Sequence, residues 1–273
     1  MPLLTAENIV KEFSVPKLDA WFGQARLRAV DGVSLSLEPG HTLGIVGESG
    51  SGKSTLARCL VALEEPSQGR VLFDGQDLSK LGSRKLRAER AKFQMVFQDP
   101  LASLNPRHRV WQIVSEPLVI HKGLKKEAAM EEAGALMSQV GLEPGMLLRY
   151  PHEFSGGQRQ RIMIARAIAT RPRLLVADEP VSSLDITVQA QILDLLLKLK
   201  NELGMAMVFI SHDLRVVERL SDSLAVMKDG KIVEQGPAAS IYRAPVHAYT
   251  QTLLKAALPL PKALRGLSSK GVV

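Results

Sequence analysis

Apolar residues in the first 46 positions follow two patterns, and both are typical of β-structure. Over residues 33–37 they alternate with serines, which predicts a half-buried strand, and residues 3–10 predict a second strand. Residues 42–46 form a continuous apolar run after the turn at Pro39-Gly40, which predicts a strand buried on both faces. The start of the chain is therefore predicted to be mostly β-sheet.

Further along, short apolar runs alternate with amphipathic helical patterns. The predicted strands cover residues 69–73, 93–98, 174–178 and 206–210, and the predicted helices cover 55–63, 159–170, 188–203 and 247–257. A late hairpin is predicted at 223–233, around Asp229-Gly230. This alternation predicts an α/β fold with a largely parallel sheet.

Residues 100–157 interrupt the alternation, because five prolines punctuate helical stretches there and no strong strand pattern is present. We expect a helical insert at about 100–157 inside one domain that spans residues 1–257. Residues 258–273, which follow a Pro-Leu-Pro segment, are expected to form a short tail.

Residues 47–54 lie between a predicted strand and a predicted helix. They read Gly-Glu-Ser-Gly-Ser-Gly-Lys-Ser, which matches the phosphate-loop pattern. Glycines permit a tight turn whose N–H groups face one anion, Lys53 adds a cation, the Ser54 hydroxyl can bind Mg²⁺, and a helix N-terminus favours negative charge. We therefore expect nucleotide binding by Gly47, Glu48, Ser49, Gly50, Ser51, Gly52, Lys53, Ser54 and Thr55.

Two carboxylates, Asp178 and Glu179, end the apolar run that begins at Leu174. A buried strand brings such residues to the carboxyl edge of an open sheet, which is where α/β folds bind ligands. One acid can hold Mg²⁺, directly or through water, and the next can position the attacking water. The pair predicts phosphoryl-transfer chemistry beside the phosphate loop.

A second anion pocket is predicted at Ser155, Gly156, Gly157 and Gln158, which precede an arginine-rich helix. Backbone N–H groups at a helix N-terminus bind anions, but one nucleotide does not need two such pockets on one molecule. Two molecules arranged head to tail do, because each nucleotide then lies between one phosphate loop and the partner's Ser-Gly-Gly segment.

Composition limits the remaining possibilities. The net charge is +7, but the basic runs at 84–92 and 122–126 lack interleaved aromatic residues, and aromatics total 4%, so we expect no nucleic-acid partner. No apolar run reaches the ~18 residues that a membrane span requires, and residues 1–11 lack a signal-peptide pattern. The single cysteine, Cys59, is expected to be a buried core thiol.

These motifs, in this order, resemble the nucleotide-binding subunits of ATP-binding-cassette (ABC) transporters over about residues 3–257. The resemblance implies a P-loop NTPase fold of the ABC ATPase type, with an antiparallel β subdomain and an inserted α-helical subdomain. It also implies ATP and Mg²⁺ as ligands and ATP hydrolysis as the activity.

The resemblance also assigns roles to single residues. Gln98 is similar to the family's lid glutamine, which senses Mg²⁺ and the membrane partner, and Asp185 is similar to the aspartate of the D-loop. His212 is similar to the switch histidine at the γ-phosphate. The implied catalytic set is Glu179, His212 and Gln98, and the implied metal ligands are Ser54, Gln98 and Asp178.

Three further segments, 98–107, 150–154 and 245–250, resemble oligopeptide and dipeptide importers, and the Gln-Arg-Gln-Arg run from Gln158 is similar to their second ATPase subunit. This implies a sister ATPase in a head-to-tail dimer, two transmembrane permease subunits and an external solute-binding protein. The solute would be a peptide or a similar small molecule. The chain would be peripheral, on the cytoplasmic face of the cell (inner) membrane.

Some points stay open at this level. The adenine would stack on Trp21 or Phe22, and the sequence does not choose between them. Many relatives carry a cysteine cluster that binds iron and sulfur, whereas residues 260–273 contain no cysteine, so we expect no iron–sulfur cluster. A soluble ABC ATPase that acts on DNA or ribosomes is the alternative, but a single cassette without sustained heptads favours the transporter.

Overall fold

In the computed structural model, which describes residues 1–16 and 24–256, the chain divides into two compact units. The first, called here the discontinuous unit, comprises described residues of 1–86 and 209–256. The described residues of the second, called the central unit, form the continuous segment Arg87–Val208.

The described residues contain ten strands and ten α-helices. The strands are β1 (Leu4–Pro16), β2 (Gln24–Leu37), β3 (Thr42–Val46), β4 (Gln68–Phe73), β5 (Gln76–Asp77), β6 (Phe93–Val96), β7 (Leu174–Asp178), β8 (Ala206–Ser211), β9 (Ser223–Lys228) and β10 (Lys231–Pro237). The helices are α1 (Lys53–Leu60), α2 (Ser83–Glu89), α3 (Pro100–Ser103), α4 (Val110–Lys122), α5 (Lys126–Gln139), α6 (Gly156–Ile168), α7 (Ile186–Leu203), α8 (Leu214–Leu220), α9 (Ala238–Arg243) and α10 (Ala248–Ala256). Each of these helices is too short or too polar to cross a lipid bilayer.

An antiparallel sheet in the discontinuous unit has the strand order β2-β1-β4-β5. Leu4 of β1 pairs with Leu37 on one side and with Phe73 on the other, and all three side chains are buried. The predicted alternation over residues 33–37 is confirmed, because the three apolar residues are buried and the two serines are exposed. The sheet therefore covers one apolar face, as period-two patterns require.

Strands β1 and β2 are longer than the sequence pattern predicted. In their outer halves Phe13 pairs with Leu27, which is 56% exposed and flanked by arginines, and this short alternation was missed. Cross-strand ion pairs stabilise this region: Arg28 Nη2 lies 2.8 Å from Glu12 Oε1, and Arg26 Nη1 lies 3.4 Å from Glu12 Oε2.

Parallel pairing is present in each unit. In the discontinuous unit, β3 pairs in parallel with β9, and β9 pairs antiparallel with β10. In the central unit, β6 pairs in parallel with β7. All five residues of β3 and all five of β7 are buried, which explains their continuous apolar runs. The strands predicted at 42–46 and 174–178 and the late hairpin are thus confirmed.

Residues 100–155 of the central unit contain helices α3, α4 and α5 and two 3₁₀ turns, Pro144–Leu148 and Pro151–Glu153. Helix α4 packs against α5 and α6, and the Glu116 carboxylate of α4 lies 2.6 Å from the Arg166 guanidinium of α6. The helices before the Ser-Gly-Gly segment are therefore tied to the helix that follows it.

Candidate functional site

The phosphate loop connects the buried strand β3 to helix α1, and two of its glycines lie where no side chain fits. A Cβ added at Gly47 would lie 2.1 Å from the Met227 carbonyl oxygen of β9. Gly52, the residue before α1, has φ +100°, and a Cβ there would lie 2.1 Å from the Ala29 carbonyl oxygen. The backbone of β9 and β2 therefore fixes the loop at both ends.

The cation predicted from the sequence lies inside this loop. The Lys53 side chain is 4% exposed, and its Nζ donates hydrogen bonds to the carbonyl oxygens of Gly47 at 2.8 Å and Glu48 at 2.7 Å. The Ser51 carbonyl accepts from the Gly230 N–H at 3.1 Å. A buried ammonium that donates to backbone carbonyls can donate in the same way to phosphate oxygens.

Helix α1 begins at Lys53 with no side-chain cap and no acidic residue in its first turn. Ser54 and Thr55 are half-buried in that turn. The helix dipole therefore adds to the positive potential of the loop, and no acidic residue in the first turn of α1 opposes it. The hydroxyl and N–H groups here fit a nucleotide polyphosphate and its metal ion.

The predicted carboxylates lie at the carboxyl end of β7. Asp178 is 3% exposed, and Glu179 follows with φ +47°, a left-handed conformation that costs a non-glycine residue energy. Because β6 and β7 are parallel neighbours, with Val96 opposite Ala177, their carboxyl ends meet at one edge. This brings Gln98 Nε2 to 3.4 Å from Glu179 Oε2, so these two predicted residues are adjacent.

The Ser-Gly-Gly-Gln segment forms the N-terminus of α6, three residues earlier than the predicted helix start. The Ser155 hydroxyl accepts from the Gln158 N–H at 3.4 Å, and the Gln158 side chain accepts from the Ser155 N–H at 3.0 Å. This capping box allows the helix to include both glycines. A Cβ at Gly157 would lie 2.6 Å from Val188 Cγ1, so α6 approaches α7 too closely for a side chain there.

Asp185 caps the neighbouring helix α7. Its Oδ1 accepts from the Val188 N–H at 3.0 Å, and the residue is exposed. The segment between β7 and α7 is ordered by the Gln189 side chain, which donates to the Val181 carbonyl at 2.9 Å. The N-termini of α6 and α7 therefore lie side by side in the central unit.

His212 follows β8 in the discontinuous unit and is exposed. The next residue, Asp213, caps α8 and binds the Arg215 guanidinium through both oxygens, at 2.8 and 2.6 Å. Burial alone would raise the pKa of Asp213, but hydrogen bonds and charge from Arg215, together with the charge of His212, hold it below its usual value. The carboxylate beside His212 is therefore ionised.

The predicted residues are thus divided between the units. The discontinuous unit carries the phosphate loop and His212, and the central unit carries Gln98, Asp178, Glu179, the Ser155–Gln158 segment and Asp185. Trp21 and Phe22 lie outside the described residues.

Sequence reasoning missed one contact of the loop. The Glu48 N–H donates to the Tyr249 hydroxyl at 3.1 Å. Tyr249 belongs to the 245–250 segment, which had served only as a marker of the subfamily. No local pattern connects positions 48 and 249, so no signal in a single sequence could have predicted the pair.

Comparison with known proteins places these motifs in context. Residues 30–182 match the family model described as "ABC transporter". The chain is 50% identical over 256 residues to the dipeptide transport ATP-binding protein DppF of Escherichia coli K12, covering 93% of this chain and 76% of that protein. It is 46% identical over 262 residues to the oligopeptide transport ATP-binding protein OppF of Salmonella typhimurium LT2, covering 95% and 78%.

A solved structure shares the fold. The dimeric post-hydrolysis state of the ATP-binding cassette MJ0796, bound to ADP and Pi, superposes with a TM-score of 0.76 at 30% sequence identity. The match covers 86% of this chain and 98% of that one.

Proposed function

The chain belongs to the ABC transporter family of ATPases, and from this premise we propose that it hydrolyses ATP to power the import of a peptide or a similar small solute. The phosphate loop supports the proposal most directly, because Lys53 lies buried in a loop in which Gly47 and Gly52 leave no room for a side chain. Relatives named as dipeptide and oligopeptide transport proteins support the transport role over a soluble, non-transport ATPase.

ATP binding is proposed for the phosphate loop and the first turn of α1. The Lys53 ammonium would exchange the Gly47 and Glu48 carbonyls for phosphate oxygens, and the N–H groups of residues 52–55 would hold the same anion. The adenine would stack on Trp21 or Phe22. These residues bind and orient the polyphosphate, which is most of what phosphoryl transfer requires.

The oxygen groups of Ser54, Gln98 and Asp178 suit Mg²⁺, which prefers hard oxygen ligands. When bound, Mg²⁺ would neutralise charge on the transferred phosphoryl group. Glu179 is proposed to hold the attacking water and accept its proton, with the neighbouring Gln98 amide orienting the carboxylate. His212 is proposed to contact the γ-phosphate.

A sister ATPase is proposed to complete each site. The Ser-Gly-Gly-Gln segment, with Asp185 beside it, would close over a nucleotide held by the partner's phosphate loop. The dimeric arrangement of the similar cassette MJ0796 supports this. We further propose two permease subunits, an external binding protein and a peripheral position on the cytoplasmic face of the membrane, with no nucleic-acid partner.

No iron–sulfur cluster is included in this proposal. Burial raises the pKa of the Cys59 thiol to about 11, and the side chain is 1% exposed. The only cysteine of the sequence is therefore a protonated core residue and unsuited to metal binding.

Replacing Ser155 with Arg should block hydrolysis without blocking ATP binding to the phosphate loop of the same chain. The long cationic side chain would fill the anion pocket and remove the capping hydroxyl, and loss of such stabilisation costs about 10²–10³ in turnover. Phosphate release is the measurement. Mixing Ser155→Arg with Lys53→Ala should restore part of the activity, because only the mixed dimer has one intact composite site.

The control for this pair is Ser138→Arg, which makes the same change on the exposed face of α5. It should hydrolyse ATP like the parent protein. Parent-level hydrolysis by Ser155→Arg alone would refute the head-to-tail arrangement.

Uptake tests the transport role directly. Cells that lack this chain should lose uptake of a labelled di- or tripeptide, since the sister ATPase cannot complete the composite sites without it. The parent chain should restore uptake, and Lys53→Ala should not. Peptide uptake that survives the loss of this chain would contradict a peptide as the solute. It would not contradict ATP hydrolysis, which phosphate release measures separately.

A further inference from the structure

Helix α10 contributes a side chain to the phosphate loop that the proposed function does not use. Tyr249, in the first turn of α10, is 8% exposed, and its hydroxyl oxygen accepts the Glu48 N–H at 3.1 Å. Burial raises the pKa of this tyrosine, so the group is a neutral hydroxyl at physiological pH. A sheltered neutral acceptor suits a backbone N–H without adding negative charge beside the loop.

Three neighbours fix the position of Tyr249. The Glu234 carboxylate of β10 accepts from the N–H groups of Val246 at 2.8 Å and His247 at 3.0 Å, which holds the start of α10. The Tyr249 N–H donates to His247 Nδ1 at 3.1 Å. Lys228 Nζ of β9 lies 4.8 Å from the centre of the tyrosine ring. The β9–β10 hairpin therefore fixes the position of the hydroxyl through its contacts with the start of α10 and with the tyrosine ring.

The contact matters because of the peptide unit that it holds. The Glu48 N–H and the Gly47 carbonyl belong to the same planar peptide. Tyr249 binds its N–H, and the Lys53 ammonium binds its carbonyl. When that ammonium turns to a phosphate, the carbonyl loses this donor, whereas the bond to Tyr249 can persist. Tyr249 is thus suited to keep the peptide oriented while Lys53 engages nucleotide.

We propose that Tyr249 is a positioning residue of the phosphate loop, whose hydroxyl holds the Gly47–Glu48 peptide in the orientation that binds nucleotide. The inference rests on the proposed function only in that this loop binds ATP. It gives the 245–250 segment a physical role at the ATP site.

Tyr249→Phe is the test, because it keeps the buried ring beside Lys228 and deletes the hydroxyl, which accepts the Glu48 N–H and also bonds to the Glu48 side chain. The Kd for ATP, measured by calorimetry, should rise about fivefold, the equivalent of one net hydrogen bond of about 1 kcal/mol. The KM for ATP should rise by the same factor. Turnover at saturating ATP should stay within about twofold of the parent value, since Glu179 is untouched.

Tyr242→Phe is the matched control. It also deletes a tyrosine hydroxyl with a backbone partner, which donates to the Leu214 carbonyl at 2.6 Å. Thermal unfolding without nucleotide should show a loss of stability in the control, while its Kd for ATP stays at the parent value. A Kd unchanged in Tyr249→Phe, or raised equally in both variants, would overturn the inference. A parent protein that binds no ATP would instead overturn the proposed function itself.

Discussion

Lys53→Ala should bind ATP at least tenfold more weakly than the parent protein, and up to about 100-fold more weakly. The ammonium is the cation inside the phosphate loop, and a charge-assisted hydrogen bond contributes about 1.5–3 kcal/mol. The side chain is 4% exposed, so little water is available to replace it. Calorimetric titration with Mg-ATP measures the change.

The control for this change is Lys198→Ala, which removes an exposed lysine of α7 that is paired with Glu202. It should bind ATP with the parent affinity, because exposed ion pairs contribute little. Thermal unfolding without nucleotide separates a binding defect from a folding defect. An ATP affinity that survives in folded Lys53→Ala would remove the phosphate loop from the nucleotide site.

Glu179→Gln should bind ATP normally and hydrolyse it about 10²–10⁴ times more slowly. The amide keeps the size of the side chain and can still accept from Gln98, but it cannot accept a proton from water. Residue 179 has a left-handed backbone conformation, and glutamine and glutamate, which have the same branching at Cβ, adopt it at a similar cost. ATP should therefore remain bound, and dimers should accumulate on gel filtration with Mg-ATP.

Glu202→Gln, an exposed change on α7, is the control and should release phosphate at the parent rate. If Glu179→Gln also released phosphate at that rate, the proton acceptor would be another group. Retained binding together with lost turnover would distinguish this residue from Lys53, whose loss acts on binding itself.

The sequence was sufficient wherever function depends on local geometry. The backbone of β2 and β9 leaves room only for glycine at positions 47 and 52 of the phosphate loop. Both glycines belong to the sequence motif, so the motif alone predicts the loop. The loop could be predicted because a single strand–loop–helix unit contains the information. The roles of Gln98 and Glu179 were implied by the family resemblance, and their adjacency becomes visible only when β6 and β7 pair in parallel.

The sequence did not predict features that depend on polar contacts or on residues far apart in the chain. The outer half of β2 is held by Arg28 and Glu12 across the strands, and apolar periodicity does not register such pairs. Helix α6 begins at the glycines because Ser155 caps it, although propensity disfavours glycine in a helix. The bond between Glu48 and Tyr249 joins positions 201 residues apart, and only the folded chain brings them together.

The order of the segments along the chain also determines when each part of the fold can form during translation. Strand β3 precedes the phosphate loop, but its parallel neighbour β9 comes 180 residues later, since Val46 pairs with Val226 and 226 − 46 = 180. At about 5–20 residues per second, the ribosome needs roughly 10–35 s to deliver that neighbour. The described part of the central unit is one continuous segment and can fold during this interval. A nascent chain therefore gains the β3–β9 pairing beside its nucleotide site only after β9 has been synthesised, so ATP cannot stabilise the earlier intermediates.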